Sequence, residues 1–387
     1  MNKLLLTAIA GITASVGVLA GCARVIELEP PVTRDFNITD FTGVEFTGLD
    51  VVGSWFQFGS PADLPFEIEV TQAETYGVNI TTNENLFDFV GVTKVGDTLK
   101  IVIDRSKIRT DKATIKAQVT MPALQSIMLA GGTDGTVRGF ASAGDFDARV
   151  SSGSILDADV QAANVTFRVS SSSRMVARGT ARDFNADVSS GSTLDMDMQT
   201  GDAEFDVQSS SRVSGTLEAE DTRVSLSSGS RLDMDMRTAD ADFTVQSSSR
   251  GSGTLKSDRT SVSLGSGSTL DMDVQTGDAS FTVQSSSRVL GRLEATSTTA
   301  SLSSGSRFEV EGKGGDAVLT ASSSSSFVIP DFAVNNASVT LSTGSHADVT
   351  VAGRLDVDIS SSSRLTYGGS PTLGDVQVSS GSNLTRR

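Results

Sequence analysis

The chain repeats itself. Between Ser151 and Ser382, serine clusters return at a nearly fixed interval: SSGS from Ser151, SSSSR from Ser170, SSGS from Ser189, SSSR from Ser209. One serine column runs Ser154, Ser173, Ser192, Ser211, Ser230, Ser249, Ser268, Ser287, Ser306 and Ser325 in steps of 19. It continues as Ser345, Ser363 and Ser382 in steps of 20, 18 and 19. A period near 20 residues, held over a dozen units, points to a solenoid in which each unit packs only on its neighbours.

The columns around the serines identify the unit. Val150, Val169, Val188, Val207 and Leu226 precede the clusters, and two residues earlier stand Ala148, Phe167, Ala186, Phe205 and Val224. Beyond the serines come Leu156, Met175, Leu194, Val213 and Leu232. Apolar residues at every second position have the period of a strand with one buried face, whereas a helix needs 3.6. Because each column recurs in the same sense, neighbouring coils stack in parallel. The expected fold is all-β: a right-handed parallel β-helix of about 19 residues per coil, with an N-terminal β cap module.

A second period of 38 overlies the first. Met196, Gly215, Met234, Gly253, Met272 and Gly291 alternate large and absent side chains, so each Met is expected to fill the space beside a Gly. Gly191, Ser210, Gly229 and Ser248 alternate within the clusters, and glycine there suits a backbone corner. The serines flanking this position are expected to point inward, their hydroxyls satisfying one another up the column.

Met1 to Gly21 reads as a secretory signal, with Lys3 followed by an apolar run from Leu4 to Leu19. Residues 22–34, with Pro30-Pro31, read as a tether. Residues 35–128 lack the 19-residue period but carry strand patterns at Val44–Phe58, Phe66–Val70, Phe87–Val92 and Ala113–Met121. A hairpin is expected through Val95-Gly96-Asp97 into Thr98–Ile103. This segment is expected to cover the first coil, whose edges would otherwise be unpaired. Residues 129–387 form the repeats. A bulge or loop is expected near Pro330 and Asn335-Asn336, where the column slips by one. The last coil, ending at Arg387, is expected to offer an edge for oligomerisation.

The chain has 47 acidic and 31 basic residues, a balance unsuited to nucleic acid. Its single histidine, His346, shares a column with Arg307, Ser326 and Arg364 and reads as a surface replacement for arginine. No base is at hand to activate a serine nucleophile, and no ligand set for zinc is present. No catalytic residue, metal site or cofactor is expected.

Charge is periodic too. Acidic pairs recur at Asp157/Asp159, Asp195/Asp197, Asp233/Asp235, Asp271/Asp273 and Glu309/Glu311, separated by Ser214/Thr216 and Ser252/Thr254. Beside them runs a basic column that includes Arg174, Arg212, Arg231, Arg250 and Arg288. The candidate surface is therefore Asp195, Asp197, Asp233, Asp235, Asp271 and Asp273 with Arg212, Arg231 and Arg250. It reads either as a cation- or glycan-binding stripe or as a solubilising face that discourages lateral sheet association. Paired aspartates alone seldom give the six or more oxygens calcium needs.

Two resemblances add to this reading. Leu19-Ala20-Gly21-Cys22 closely resembles the bacterial lipobox, which implies acylation of Cys22 and cleavage before it. Cys22 is the chain's one cysteine, so there is no disulfide. Gly96-Asp97-Thr98-Leu99-Lys100-Ile101, the stretch Pro122–Ile127 followed by Gly131-Gly132, and serine-glycine coils such as Val150–Ser154 resemble the GIN-domain family of autotransporter adhesin heads. That resemblance implies an extracytoplasmic β-solenoid with an adhesive or envelope role and no catalytic motif. The expected protein is a non-enzymatic lipoprotein held at the membrane by acyl chains on Cys22, with an envelope polysaccharide or surface protein as partner. The alternative is a glycan-active β-helix enzyme using the aspartate columns.

Overall fold

The structure, a computed structural model, describes residues 27–49, 66–104 and 113–387. The signal region, Cys22 and the aromatic residues Trp55, Phe56 and Phe58 lie outside the described residues. Among the described residues, no helix is long and apolar enough to cross a membrane.

Each regular coil has two strands and two corners. In one coil, a seven-residue long strand, Thr193–Gln199, leads through Thr200-Gly201 into a six-residue short strand, Asp202–Val207. The residues Gln208 to Ser211 then turn the chain into the next long strand, Arg212–Glu218. Pairing is parallel at 19 residues: Leu194 faces Val213, which faces Leu232, and Phe205 faces Val224, which faces Phe243. From Thr269 onward the two strands of a coil merge into continuous runs, Thr269–Val283, Arg288–Leu302 and Arg307–Ala321. The parallel β-solenoid anticipated from the period is present.

The core is a single file of inward side chains. Leu194, Phe205, Val207, Val213 and Leu232 are buried, and Phe167, Phe184 and Phe205 meet edge-on at centroid distances of 5.3 and 5.5 Å. Each fully buried apolar side chain stabilises by roughly 1.5–3 kcal/mol. A lone coil cannot collect that term, because its inward residues need the coils above and below.

The serine corner departs from expectation in two ways. Ser209 and Ser210 have φ of 55° and 63°, and Ser190 and Gly191 have 57° and 71°. Two consecutive left-handed residues with a bond from Ser211 N to Gln208 O of 3.3 Å have the φ signs of a type I′ turn. This reversal breaks strand alternation. Only the serine after the left-handed pair, such as Ser192 or Ser211, is buried; Ser190 and Ser209 are exposed. The inward hydroxyls also serve the backbone more than one another. Ser192 Oγ accepts from Ser173 N at 3.2 Å, and Ser211 Oγ from Ser192 N at 3.3 Å. Ser268 and Ser306 donate to Gly265 O and Ser303 O, each at 2.7 Å. A direct hydroxyl link occurs at Ser230–Ser249, at 3.4 Å.

The glycine column has a different cause from the one the sequence suggested. Gly215 and Gly253 have φ of 125° and 121°, and a Cβ on them would lie 1.8 and 2.0 Å from the carbonyl oxygens of Met196 and Met234. The backbone of the preceding coil, rather than a methionine side chain, excludes any larger residue there.

The second corner carries buried threonines. Thr200, Thr238 and Thr276 alternate with Thr222, Thr260 and Thr298, each set spaced by 38 residues. Thr222 Oγ1 bonds Thr238 Oγ1 at 3.2 Å, and Thr260 Oγ1 bonds Thr276 Oγ1 at 3.3 Å. Thr298 should find its partner at position 314, but Gly314 stands there and a Cβ on it would lie 2.7 Å from the Phe332 ring. The Thr298 hydroxyl is accordingly buried without a partner. Nearby, the pairing register shifts between Phe308 and Gly312 on one side of Ser326–Val334, and between Ile329 and Ala333 on the other. The inserted residue thus falls in the Pro330 segment.

The N-terminal strands do not stack in chain order. They are β1 (Pro31–Asp35), β2 (Gly43–Leu49), β3 (Phe66–Gln72), β4 (Gly77–Asn83), β5 (Val90–Val95), β6 (Thr98–Asp104), β7 (Ile115–Met121), β8 (Ser126–Ala130) and β9 (Thr133–Ala141). β2 lies between β6 and β8, and β3 between β7 and β9, all in parallel. The coil formed by β6 and β7 therefore sits outside its predecessor. β1 and β4 pair antiparallel, as do β4 and β7, and β5 and β6 form the expected hairpin through Gly96-Asp97. Part of the strand expected at Phe87–Val92 is instead a 3-10 helix, Glu84–Phe89, whose Leu86 and Phe87 enter the core.

Candidate functional site

Outward positions of the long strands make one face of the rod. Register aligns Asp195, Ser214, Asp233, Ser252 and Asp271 in one row, and Asp197, Thr216, Asp235, Thr254 and Asp273 in a second. A third row holds Arg212, Arg231 and Arg250 in directly adjacent coils. All nine candidate residues therefore share a face, as a flat grid rather than a cluster. Among the described residues, no three metal-ligating side chains converge.

Hydroxyl rungs separate the carboxylates. Thr216 Oγ1 donates to Asp197 Oδ1 at 2.5 Å, Thr254 Oγ1 to Asp235 Oδ1 at 2.7 Å, and Ser252 Oγ to Asp233 Oδ1 at 3.2 Å. Acids in every second coil lie ~9.6 Å apart, and the intervening hydroxyl removes the like-charge contact that a ~4.8 Å spacing would impose. The basic row has no such relief. Arg250 pairs with Asp271 at 2.6 Å, while Arg212 and Arg231 have no carboxylate partner among the described residues.

At the start of the face, arginine takes over from threonine. Arg138 grips Asp157 with both nitrogens, at 3.2 and 2.6 Å, and Arg178 reaches the same carboxylate at 3.2 Å. The Arg138 hydrogen bond is the main reason that the Asp157 carboxyl is held below its ordinary value. Because this group is well exposed, the pair adds little to stability. His346 stands in register between Ser326 and Arg364, the row expected from its column.

The short strands carry an acidic row that periodicity could have revealed. Asp183, Asp202, Asp221 and Asp240 stand in register in four successive coils, without hydroxyl rungs between them. Arg259 closes the row, donating from Nε to Asp240 Oδ1 at 2.7 Å, and this bond lowers the Asp240 pKa. The row's signal in the sequence is a single aspartate at steps of 19, less conspicuous than the paired acids of the long strands.

Fold and face together define a β-solenoid whose outer surface is a repeating grid of hydroxyl, carboxylate and guanidinium groups. The chain belongs to the family described as "Putative auto-transporter adhesin, head GIN domain", which matches residues 62–214 and 260–371. None of the curated proteins matches it. Among solved structures, a "putative adhesin" from Bacteroides fragilis is similar at 19% identity and a TM-score of 0.45, covering 59% of this chain and 97% of that one. A "putative lipid binding protein" from Parabacteroides distasonis is similar at 15% identity and a TM-score of 0.24, covering 92% and 96%. A "putative adhesin" from Parabacteroides merdae is similar at 12% identity and a TM-score of 0.26, with the same coverage.

Proposed function

We propose that this chain is a non-enzymatic, adhesin-like rod of the cell envelope, anchored through acyl chains on Cys22, which presents the face of the long strands to an envelope polysaccharide or surface protein. The observation that supports it is that the charged groups are the repeat itself. An active site is a local departure in which acid and base converge, whereas here Asp197, Asp235 and their threonine partners recur coil after coil. Binding sites on such a grid add together, and several weak contacts along one rigid rod give avidity. Exposed Leu373, Val376 and Val378 on the strand Thr372–Val378 make self-association through that strand part of the same reading.

The anchor is tested by globomycin, by palmitate labelling and by Cys22→Ala. Accumulation of unprocessed precursor and release of the variant are expected; a soluble product insensitive to globomycin overturns the anchoring. Turnover of an acidic polysaccharide that disappears in Asp233→Ala/Asp235→Ala would overturn the non-enzymatic part. Light scattering that finds a strict monomer removes self-association.

A further inference from the structure

Where the long strands approach the threonine corner, the outermost outward column reads Gln199, Glu218, Arg237, Lys256, Gln275 and Glu294. Two shallow troughs open along it. One, of about 440 Å³, is lined by Arg178, Thr180, Asp197, Gln199, Thr216 and Glu218. The other, of about 530 Å³, is lined by Arg237, Lys256, Asp273, Gln275, Arg292 and Glu294 over an apolar floor that includes Leu255. They lie four coils apart and share a frame: Asp197 corresponds to Asp273, Gln199 to Gln275 and Glu218 to Glu294. Their charge differs, because Thr180 is replaced by Lys256 and Thr216 by Arg292 and Arg237 is added, while Arg178 gives way to Thr254.

Arg237 and Lys256 stand in register in adjacent coils. Among the described residues neither pairs with a carboxylate. Glu218 stands in register beside Arg237 without an ion pair and accepts from Gln199 at 3.5 Å, and Arg292 pairs with Glu294 at 2.8 Å. Two basic side chains on strands ~4.8 Å apart, neither held in an ion pair among the described residues, form a site for an anion on a chain of net charge -16. The volume falls within the range of small-molecule sites.

We propose that this trough binds an acidic sugar unit, its carboxylate or sulfate ester held by Arg237 and Lys256 and its hydroxyls by Asp273 and Gln275. Closely spaced phosphates would meet Asp273 and Glu294, which repel anions, whereas sugar hydroxyls donate to those same oxygens. A neutral sugar would need an aromatic platform, and among the described residues no aromatic side chain is exposed. The inference rests on the adhesin-like reading for the polymer that carries the sugar, and on the trough alone for the binding.

The test is titration of the full processed chain with three probes: a trigalacturonate, a sulfated heparin-derived disaccharide and neutral maltotriose. Saturable binding of at least one acidic probe is expected, which also separates carboxylate from sulfate, with none for maltotriose. Arg237→Ala/Lys256→Ala, at two exposed positions, should weaken that binding at least tenfold. Thr180→Ala/Gln199→Ala in the sister trough should leave it unchanged. No binding of either acidic probe, equal binding of maltotriose, or binding that survives the Arg237/Lys256 double substitution overturns the proposal. Cell adherence is scored separately: its absence while oligosaccharide binding persists overturns the adhesin-like reading and not the trough.

Discussion

The two corners of the coil solve the same problem by different means. At the serine corner every coil uses a left-handed pair followed by an inward hydroxyl, which in several coils accepts a backbone N–H from the coil before, while the Ser173 hydroxyl is buried without a partner. At the threonine corner, hydroxyls alternate between two positions, so that Thr222 meets Thr238 and Thr260 meets Thr276 across coils. The first corner serves chiefly backbone groups. The second ties hydroxyls to one another across coils and to backbone carbonyls, as at Thr200 and Thr238, and leaves Thr298 with neither. A buried hydroxyl is therefore an asset or a liability according to its neighbour in the next coil.

The strongest way to break this comparison lies on the strand between the corners. In Gly253→Ala the new Cβ would lie 2.0 Å from the Met234 carbonyl oxygen. A loss of more than about 3 kcal/mol is expected in denaturant unfolding, against which the corner effects can be scaled. Next come paired threonine substitutions. Thr260→Val should cost about 1 kcal/mol by removing the hydroxyl that Ser257 and Thr276 contact, Thr276 keeping Ser257 and Asp278 as partners, whereas Thr298→Val should gain up to about 1 kcal/mol by removing an orphan hydroxyl. Equal effects would mean that the alternation is not what holds the second corner.

The serine corner makes a smaller prediction of opposite sign. Ser248 has a φ of 61°, where Gly229 and Gly267 stand in the neighbouring coils. Ser248→Gly should stabilise by about 0.5–1 kcal/mol, the relief of left-handed strain exceeding the entropy glycine adds to the unfolded chain. The smallest effect is electrostatic. Asp157 is held below its ordinary pKa, chiefly by Arg138. Its contribution is therefore present above the unfolded-chain value near ~4 and is lost as pH falls through the folded value. The stability gap between the parent chain and Arg138→Gln should narrow on acidification; a gap independent of pH would remove the ion pair from the account.

Much of this was legible because identity recurred in place. Ser154 to Ser382 announced the coil, and the alternation of Leu194, Met196 and Met198 announced the buried face. What escaped detection had physical causes. Parity counting fails across two left-handed residues, so it points Ser190 and Ser209 inward although both are exposed. The threonine corner alternates at two positions, so neither column looks regular at 19 although both are regular at 38. Gly215 was read through its methionine neighbour because a carbonyl oxygen leaves no mark in a sequence. The nine face residues share one face because their spacing is even and the strand period leaves one outward direction. The charged trough at Arg237 and Lys256 was missed because it breaks a column instead of making one.

The 38-residue alternation also sets how such a rod can change length. Removing 19 residues would bring like beside like at the cut, either methionine on methionine with aspartate on aspartate, or glycine on glycine with serine on serine. Removing 38 would leave each rung with its former kind of neighbour. Length variants of this chain should therefore differ by whole pairs of coils, in increments of ~9.6 Å, which makes the molecule a ruler graduated in doublets.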